Sequence, residues 1–160
     1  MTPAYVVPQL IPAFQYYADV SGIQDVGAGP LGHRLIGTIA GGRVIGERLN
    51  GSIAGAGAEW LLMCSDGFGR LDTRTTFRTD DGAHIYLRFS GLLEMTPAVM
   101  ALLTGRSTPT NFGDQYFFID PQLETGDERY AWVNRTLFVG QGRHATSSRV
   151  EFQVFRVANH

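Results

Sequence analysis

Pairs of residues that favour tight reversal cut this chain at short intervals: Gly41-Gly42, Asn50-Gly51, Asp66-Gly67 and Asp81-Gly82. Glycine accepts positive φ without the clash a Cβ would make, so each pair suits a hairpin. Between the pairs, aromatic and β-branched residues alternate with polar ones, which is the period of a half-buried strand. The predicted strands are Ala13–Val20, His33–Ala40, Arg43–Glu47, Ser52–Ile53, Ala58–Ser65, Arg70–Thr79, Ala83–Ser90, Gln115–Ile119, Ala131–Gly140 and Ser148–Ala158. Short connections make consecutive strands neighbours, so the expectation is all-β: one antiparallel, mostly meander β-barrel spanning residues 1–160. A single short helix interrupts it, with Thr96 as cap, Pro97 in the first turn, Val99, Met100, Leu102 and Leu103 as its apolar residues, and Gly105 as its stop. This helix is expected to plug one barrel end, beside a mobile loop from Arg106 to Gly113.

Composition excludes several chemistries. All thirteen cationic side chains are arginine. Without lysine there is no Schiff base, no pyridoxal phosphate linkage and no phosphate-loop ammonium. Arginine instead offers a planar fork that suits carboxylates and other flat anions. The formal net charge is -2 with no run of either sign, which argues against nucleic acid and against an anionic membrane surface as partners. Gly27, Gly29 and Gly32 satisfy G-x-G-x-x-G, but the residues that follow read as a strand where a dinucleotide site needs a helix. His33, His84, His144 and His160 lack metal-ligand spacing, no G-x-S-x-G occurs, and the lone Cys64 sits in an apolar run as a small thiol would. Neither a metal nor another cofactor is expected. The segment Met1–Leu10 has no basic start and carries two prolines, so it does not read as a secretory signal and a cytoplasmic setting is expected.

Two turns between Glu59 and Ser90 carry most of the positional information. If Asp66-Gly67 alone forms the first loop, Leu61 opposes Asp72 and Glu59 opposes Arg74. In the second, Asp80-Asp81-Gly82 has the form of a turn with a glycine bulge, so Thr79 opposes Ala83 and Arg74 opposes Arg88. One face then carries Asp72, Arg74, Thr76, Arg78, His84, Tyr86, Arg88 and Ser90, and the other carries Leu71, Phe77, Ile85, Leu87 and Phe89. Two readings follow. In one, the polar face meets solvent and the apolar face forms the core. In the other, the polar face lines the lumen, Glu59, Arg74 and Arg88 form a ladder around an anionic ligand, and the apolar face is covered by the helix or by a second subunit. Near the C-terminus Tyr130, Trp132, Asn134 and Thr136 alternate with Ala131, Val133, Arg135 and Leu137, a pattern suited to a pocket wall or to a packed core with paired polar tips.

Taken in order, Gly41-Gly42, Gly46, Leu49-Asn50-Gly51, Gly57-Ala58-Glu59-Trp60, Asp66-Gly67, Leu71-Asp72-Thr73-Arg74, Thr79-Asp80-Asp81-Gly82, Ile85 and Gly91 resemble the family called Domain of Unknown Function 3237. Glu124-Thr125-Gly126-Asp127, Tyr130-Ala131-Trp132 and Asn134 are similar to its C-terminal signature. The resemblance covers nearly the whole chain and implies a calycin-like barrel, with no function attached. It also implies a departure, since the family more usually has aspartate where Glu59 stands.

Two function classes are expected from these residues. In the first, the barrel is a cofactor-free isomerase, cyclase or lyase acting on a small organic acid or polyketide-like compound. Glu59 or Asp72 would move the proton, Arg74 and Arg88 would hold a carboxylate or stabilise an enolate, Tyr130, Trp132 and Asn134 would shape the apolar wall, and Tyr86 would join them in binding a ligand that is anionic or aromatic. In the second, the same barrel binds a small molecule without turnover, or the apolar face drives a structural homo-oligomer.

Overall fold

The computed structural model describes residues 1–106 and 108–160; Ser107, inside the expected Arg106–Gly113 loop, lies outside the described residues. The strands are β1 (Gln9–Gly29), β2 (Gly32–Gly46), β3 (Gly51–Ile53), β4 (Ala58–Met63), β5 (Phe68–Thr79), β6 (His84–Glu94), β7 (Phe117–Ile119), β8 (Gln122–Glu124), β9 (Phe138–His144) and β10 (Arg149–Ala158). Helix α1 (Pro97–Leu103) lies between β6 and β7, and a 3-10 helix (Glu128–Arg135) lies between β8 and β9. β3 and β4 share one place between β2 and β5, and β7 and β8 share the place beside β6, so the wall has eight staves. Each stave pairs with the next along the chain, β7 joins β9 at Phe118↔Gln141, and β10 returns to β1 from Gln9↔Ala158 to Asp19↔Arg149. The result is the expected antiparallel meander barrel, whose closure leaves few backbone edges unpaired.

On β5 and β6 the strand period separates two environments. Leu71, Thr73, Thr75, Phe77, Ile85, Leu87, Phe89 and Leu93 point inward and are buried, while Asp72, Arg74, Arg78, His84, Tyr86, Arg88 and Ser90 are exposed. Of the two readings of this sheet, the one with its polar face in solvent is the one that forms, because burying several guanidinium groups would forfeit more hydration than pairing returns. The apolar face is the inside of the barrel, so it is not an outer surface for a partner subunit. Aromatic rings fill much of that inside: Tyr16 stacks on Phe152 at 5.0 Å, and Phe14, Phe77 and Phe138 meet edge to face.

Three local expectations change. Gly41-Gly42 is not a hairpin; β2 runs straight through it, and the pair marks where β2 leaves β4 and takes up β3. Gly42 has φ +150°, and a Cβ there would lie 2.0 Å from the Tyr17 carbonyl oxygen, so the close crossing of β1 requires glycine. The predicted strand Ala131–Gly140 is helical through Arg135, because the Asp127 carboxylate accepts from the Arg129 amide at 2.9 Å and starts a turn where alternation suggested a strand. The first hairpin loop holds three residues, with Cys64 bonded across to Phe68 and Gly67 at φ +81°.

Helix α1 forms where the sequence places it, with the Val99 amide donating to Thr96 Oγ1 at 3.3 Å and with Val99 and Leu102 buried. Beyond it, Thr110 is tied to β9: its amide donates to the His144 carbonyl at 3.0 Å and its hydroxyl accepts from the His144 amide at 3.0 Å. The described part of the expected mobile loop is therefore pinned at that point. No helix is long and apolar enough to cross a membrane among the described residues.

Candidate functional site

The extra loop residue at Cys64–Phe68 shifts the β4–β5 register by one position. Glu59 pairs with Thr73, and it is Ala58 that lies opposite Arg74. A one-residue shift moves every side chain of a strand to the other face. Glu59 therefore turns into the lumen, while Asp72 and Arg74 turn outward, where they approach each other at 3.8 Å with side chains 54% and 60% exposed.

Inside lies a cavity of about 110 Å³. Its walls are mostly hydrocarbon: Leu61 and Leu71 on β4 and β5, Phe89 and Leu93 on β6, Ile39 on β2 and Phe152 on β10. The lining runs out to Ile23 and Leu35 on the long β1–β2 hairpin, Leu103 of α1 and Ser147 and Ser148 in the β9–β10 turn, so the opening is at the α1 end of the barrel. Its deep polar groups are few, namely Tyr16, Glu59, Thr73 and His144. No arginine lines the cavity among the described residues.

Glu59 is held at both carboxyl oxygens. The Asp72 amide donates to Oε1 at 3.0 Å, and the Thr73 hydroxyl donates to Oε2. Burial dominates its electrostatics, since removing a carboxylate from water disfavours the charged form, and the pKa is pushed up to about 7 despite the two hydrogen bonds. Burial and the nearby Glu59 carboxyl likewise raise the Tyr16 phenol well above its ordinary range. His144, 7% exposed and stacked on Phe117 at 5.4 Å, is pushed down to about 4 by burial. Near neutral pH the lumen therefore holds a carboxyl balanced between acid and base, a neutral phenol and a neutral imidazole.

The residues singled out from sequence do not converge. Glu59 is in the cavity. Asp72 supplies only its backbone amide, and Arg74, Tyr86 and Arg88 project from the outer wall. Arg74 and Arg88 do lie directly opposite each other, as the second turn predicts, but in solvent. Tyr130, Trp132 and Asn134 close the far end of the barrel. Tyr130 donates to Asp81 at 2.8 Å, Asn134 bridges the amide and carbonyl of Thr125 at 2.8 and 2.9 Å, and Trp132 packs on Phe138 beneath the Arg48 guanidinium at 4.0 Å. They hold the 3-10 helix in place and do not line the cavity. The sequence does not mark His144 or Tyr16 as site residues; each alternates with apolar inward residues, which a core position shows equally. Among the described residues no group of three His, Cys, Asp or Glu side chains is gathered as a metal would require.

Comparison with known proteins gives a consistent picture. The family described as "Protein of unknown function (DUF3237)" matches residues 8–157. A UPF0311 protein of Rhodopseudomonas palustris is 31% identical over 98% of this chain and 99% of its own. Among solved structures, a conserved protein of unknown function from Rhodopseudomonas palustris superposes with TM-score 0.83 at 29% identity, covering 94% of this chain and 98% of that one. A β-barrel-like protein from Acinetobacter baumannii gives 0.79 at 28% identity over 98% and 99%. A protein from Penicillium herquei, described as an enzyme, shares the fold with TM-score 0.71 at 17% identity over 98% and 99%.

Proposed function

The chain belongs to the DUF3237 family, and on that premise we propose that its lumen is a small-molecule site in which Glu59 moves a proton on or off a neutral, largely apolar substrate. Isomerisation, cyclisation or elimination without a cofactor each needs such a transfer. The observation that carries this reading is the Glu59 carboxyl, held by two hydrogen bonds and facing an apolar cavity. A group balanced near neutrality can both accept and return a proton within one turnover. The Penicillium herquei protein, described as an enzyme, indicates that this barrel is compatible with catalysis, although fold alone does not assign it.

The charge a substrate can carry is set by the lining of the lumen, not by the arginines of the outer wall. With Arg74 and Arg88 outside, an anionic ligand would enter the lumen against Glu59, and no arginine is among the described residues that line it. A neutral ketone, phenol or ester suits the lining better. The test is deuterium incorporation into the methyl group of acetophenone in D₂O near neutral pD, followed by proton NMR with and without the protein. Acceleration by the protein that disappears in Glu59→Gln supports the reading. Binding of acetophenone without acceleration favours a carrier, and no binding by any neutral ring compound would remove the site.

A further inference from the structure

His144 stands where a second anchor for a ligand would be placed. Counted around the closed wall, β4 and β9 are separated by β2, β1 and β10 on one side and by β5, β6 and β7 on the other. Glu59 on β4 and His144 on β9 thus occupy opposite staves of the barrel, and both line the same cavity. His144 is 7% exposed, and its Nδ1 is buried with no hydrogen-bond partner among the described residues. A buried imidazole nitrogen without a partner destabilises a fold, and a hydrogen-bonding group entering the cavity that His144 lines would relieve that cost. The residue is not loosely placed. Its backbone is bonded to Thr110 in both directions at 3.0 Å, its ring lies on Phe117, and Gly142 on the same inner face leaves room for the Phe117 and Phe152 rings.

Between the two poles the walls combine aliphatic side chains with the rings of Tyr16, Phe89, Phe117 and Phe152. A cavity of about 110 Å³ is near the size, about 150 Å³, at which an apolar protein cavity admits benzene. Resting on the reading of the lumen as a small-molecule site, we infer that it selects a neutral single-ring compound with hydrogen-bonding groups at opposite ends, one meeting Glu59 and the other, a hydroxyl, meeting the His144 imidazole. A hydroxyl suits His144 because it can donate or accept, and so pairs with either tautomer of the neutral ring.

Three nearly isosteric probes test this: p-xylene, p-cresol and hydroquinone, with affinities measured by NMR titration of the full chain at pH 7. The expected order is hydroquinone tightest and p-xylene weakest, with about fivefold between hydroquinone and p-cresol from the added hydrogen bond. His144→Phe should bring hydroquinone down to the level of p-cresol and leave p-xylene within about twofold of the wild type. In the unaltered protein, hydroquinone but not p-xylene should shift the ring-nitrogen resonances of His144, a readout that does not depend on the variant folding. Persistence of the hydroquinone advantage in His144→Phe, or ring nitrogens insensitive to hydroquinone, overturns the role of His144 while leaving the cavity as a site for the rings that bind. Failure of all three probes to bind overturns this inference and the proposed site together.

Discussion

Glu59 and Thr73 face each other across the β4–β5 pairing, and the threonine hydroxyl donates to the carboxyl from inside the barrel wall. That hydrogen bond favours the carboxylate, in opposition to burial. Thr73→Val keeps the shape and deletes the donor. The Glu59 midpoint should rise above about 7, read by carbon NMR of its carboxyl, and the fold should lose about 1–2 kcal/mol in chemical denaturation.

Glu59 and His144 couple stability to pH in opposite directions. Glu59 is raised from its ordinary 4.5 to about 7, so its contribution is fullest below 4.5 and is lost as pH rises through 7. His144 is lowered from 6.5 to about 4, so its contribution is fullest above 6.5 and is lost as pH falls through 4. In the overlap between 4.5 and 6.5 the two slopes cancel, each bounded at about 3 kcal/mol over its own range. Glu59→Gln should unmask stability that rises with pH, and His144→Phe stability that falls with it. Urea midpoints from pH 4 to 8 read both, and a Glu59→Gln profile with the wild-type shape would contradict a Glu59 that titrates inside the lumen.

Gly142→Ala should be harmful despite its small size. A Cβ at that position would meet the Phe117 ring at 2.7 Å and the Phe152 ring at 2.8 Å, so one of these rings must move. The expected destabilisation is about 1–3 kcal/mol in thermal or chemical unfolding, with a changed ring-nitrogen signal from the stacked His144.

Trp132→Ala tests the closed end of the barrel against the open one. Loss of packing on Phe138 and of the Arg48 contact should lower stability by about 2–3 kcal/mol while leaving the Glu59 titration in place. A Glu59 midpoint that moved with Trp132 would show that the two ends are coupled.

Arg74 and Arg88 form a like-charged cross-strand pair in solvent. Arg88→Glu replaces repulsion with attraction and should stabilise by about 0.2–1 kcal/mol, an effect that added salt reduces. Ring-compound binding in the lumen should not change, because neither side chain reaches it.

The amino-acid sequence by itself determined the local pieces: the alternation that makes β5 and β6 two-faced, the turn at Asp80-Asp81-Gly82 that sets Arg74 opposite Arg88, and the capped helix at Thr96. Each rests on contacts a few residues apart or on one strand's own period, which a single stretch of sequence records. Tertiary structure decided the rest. The inward turn of Glu59 depends on how β4 and β5 pair across the three-residue loop, with Glu59 opposite Thr73, and the helical turn after Asp127 is held by Tyr130 bonded to Asp81 and Trp132 packed on Phe138. The gathering of Tyr16, Glu59 and His144 around one cavity depends on closing the sheet from β1 to β10, so that staves distant in sequence face one another. That closure is a property of the whole chain, and no short pattern within it carries the information.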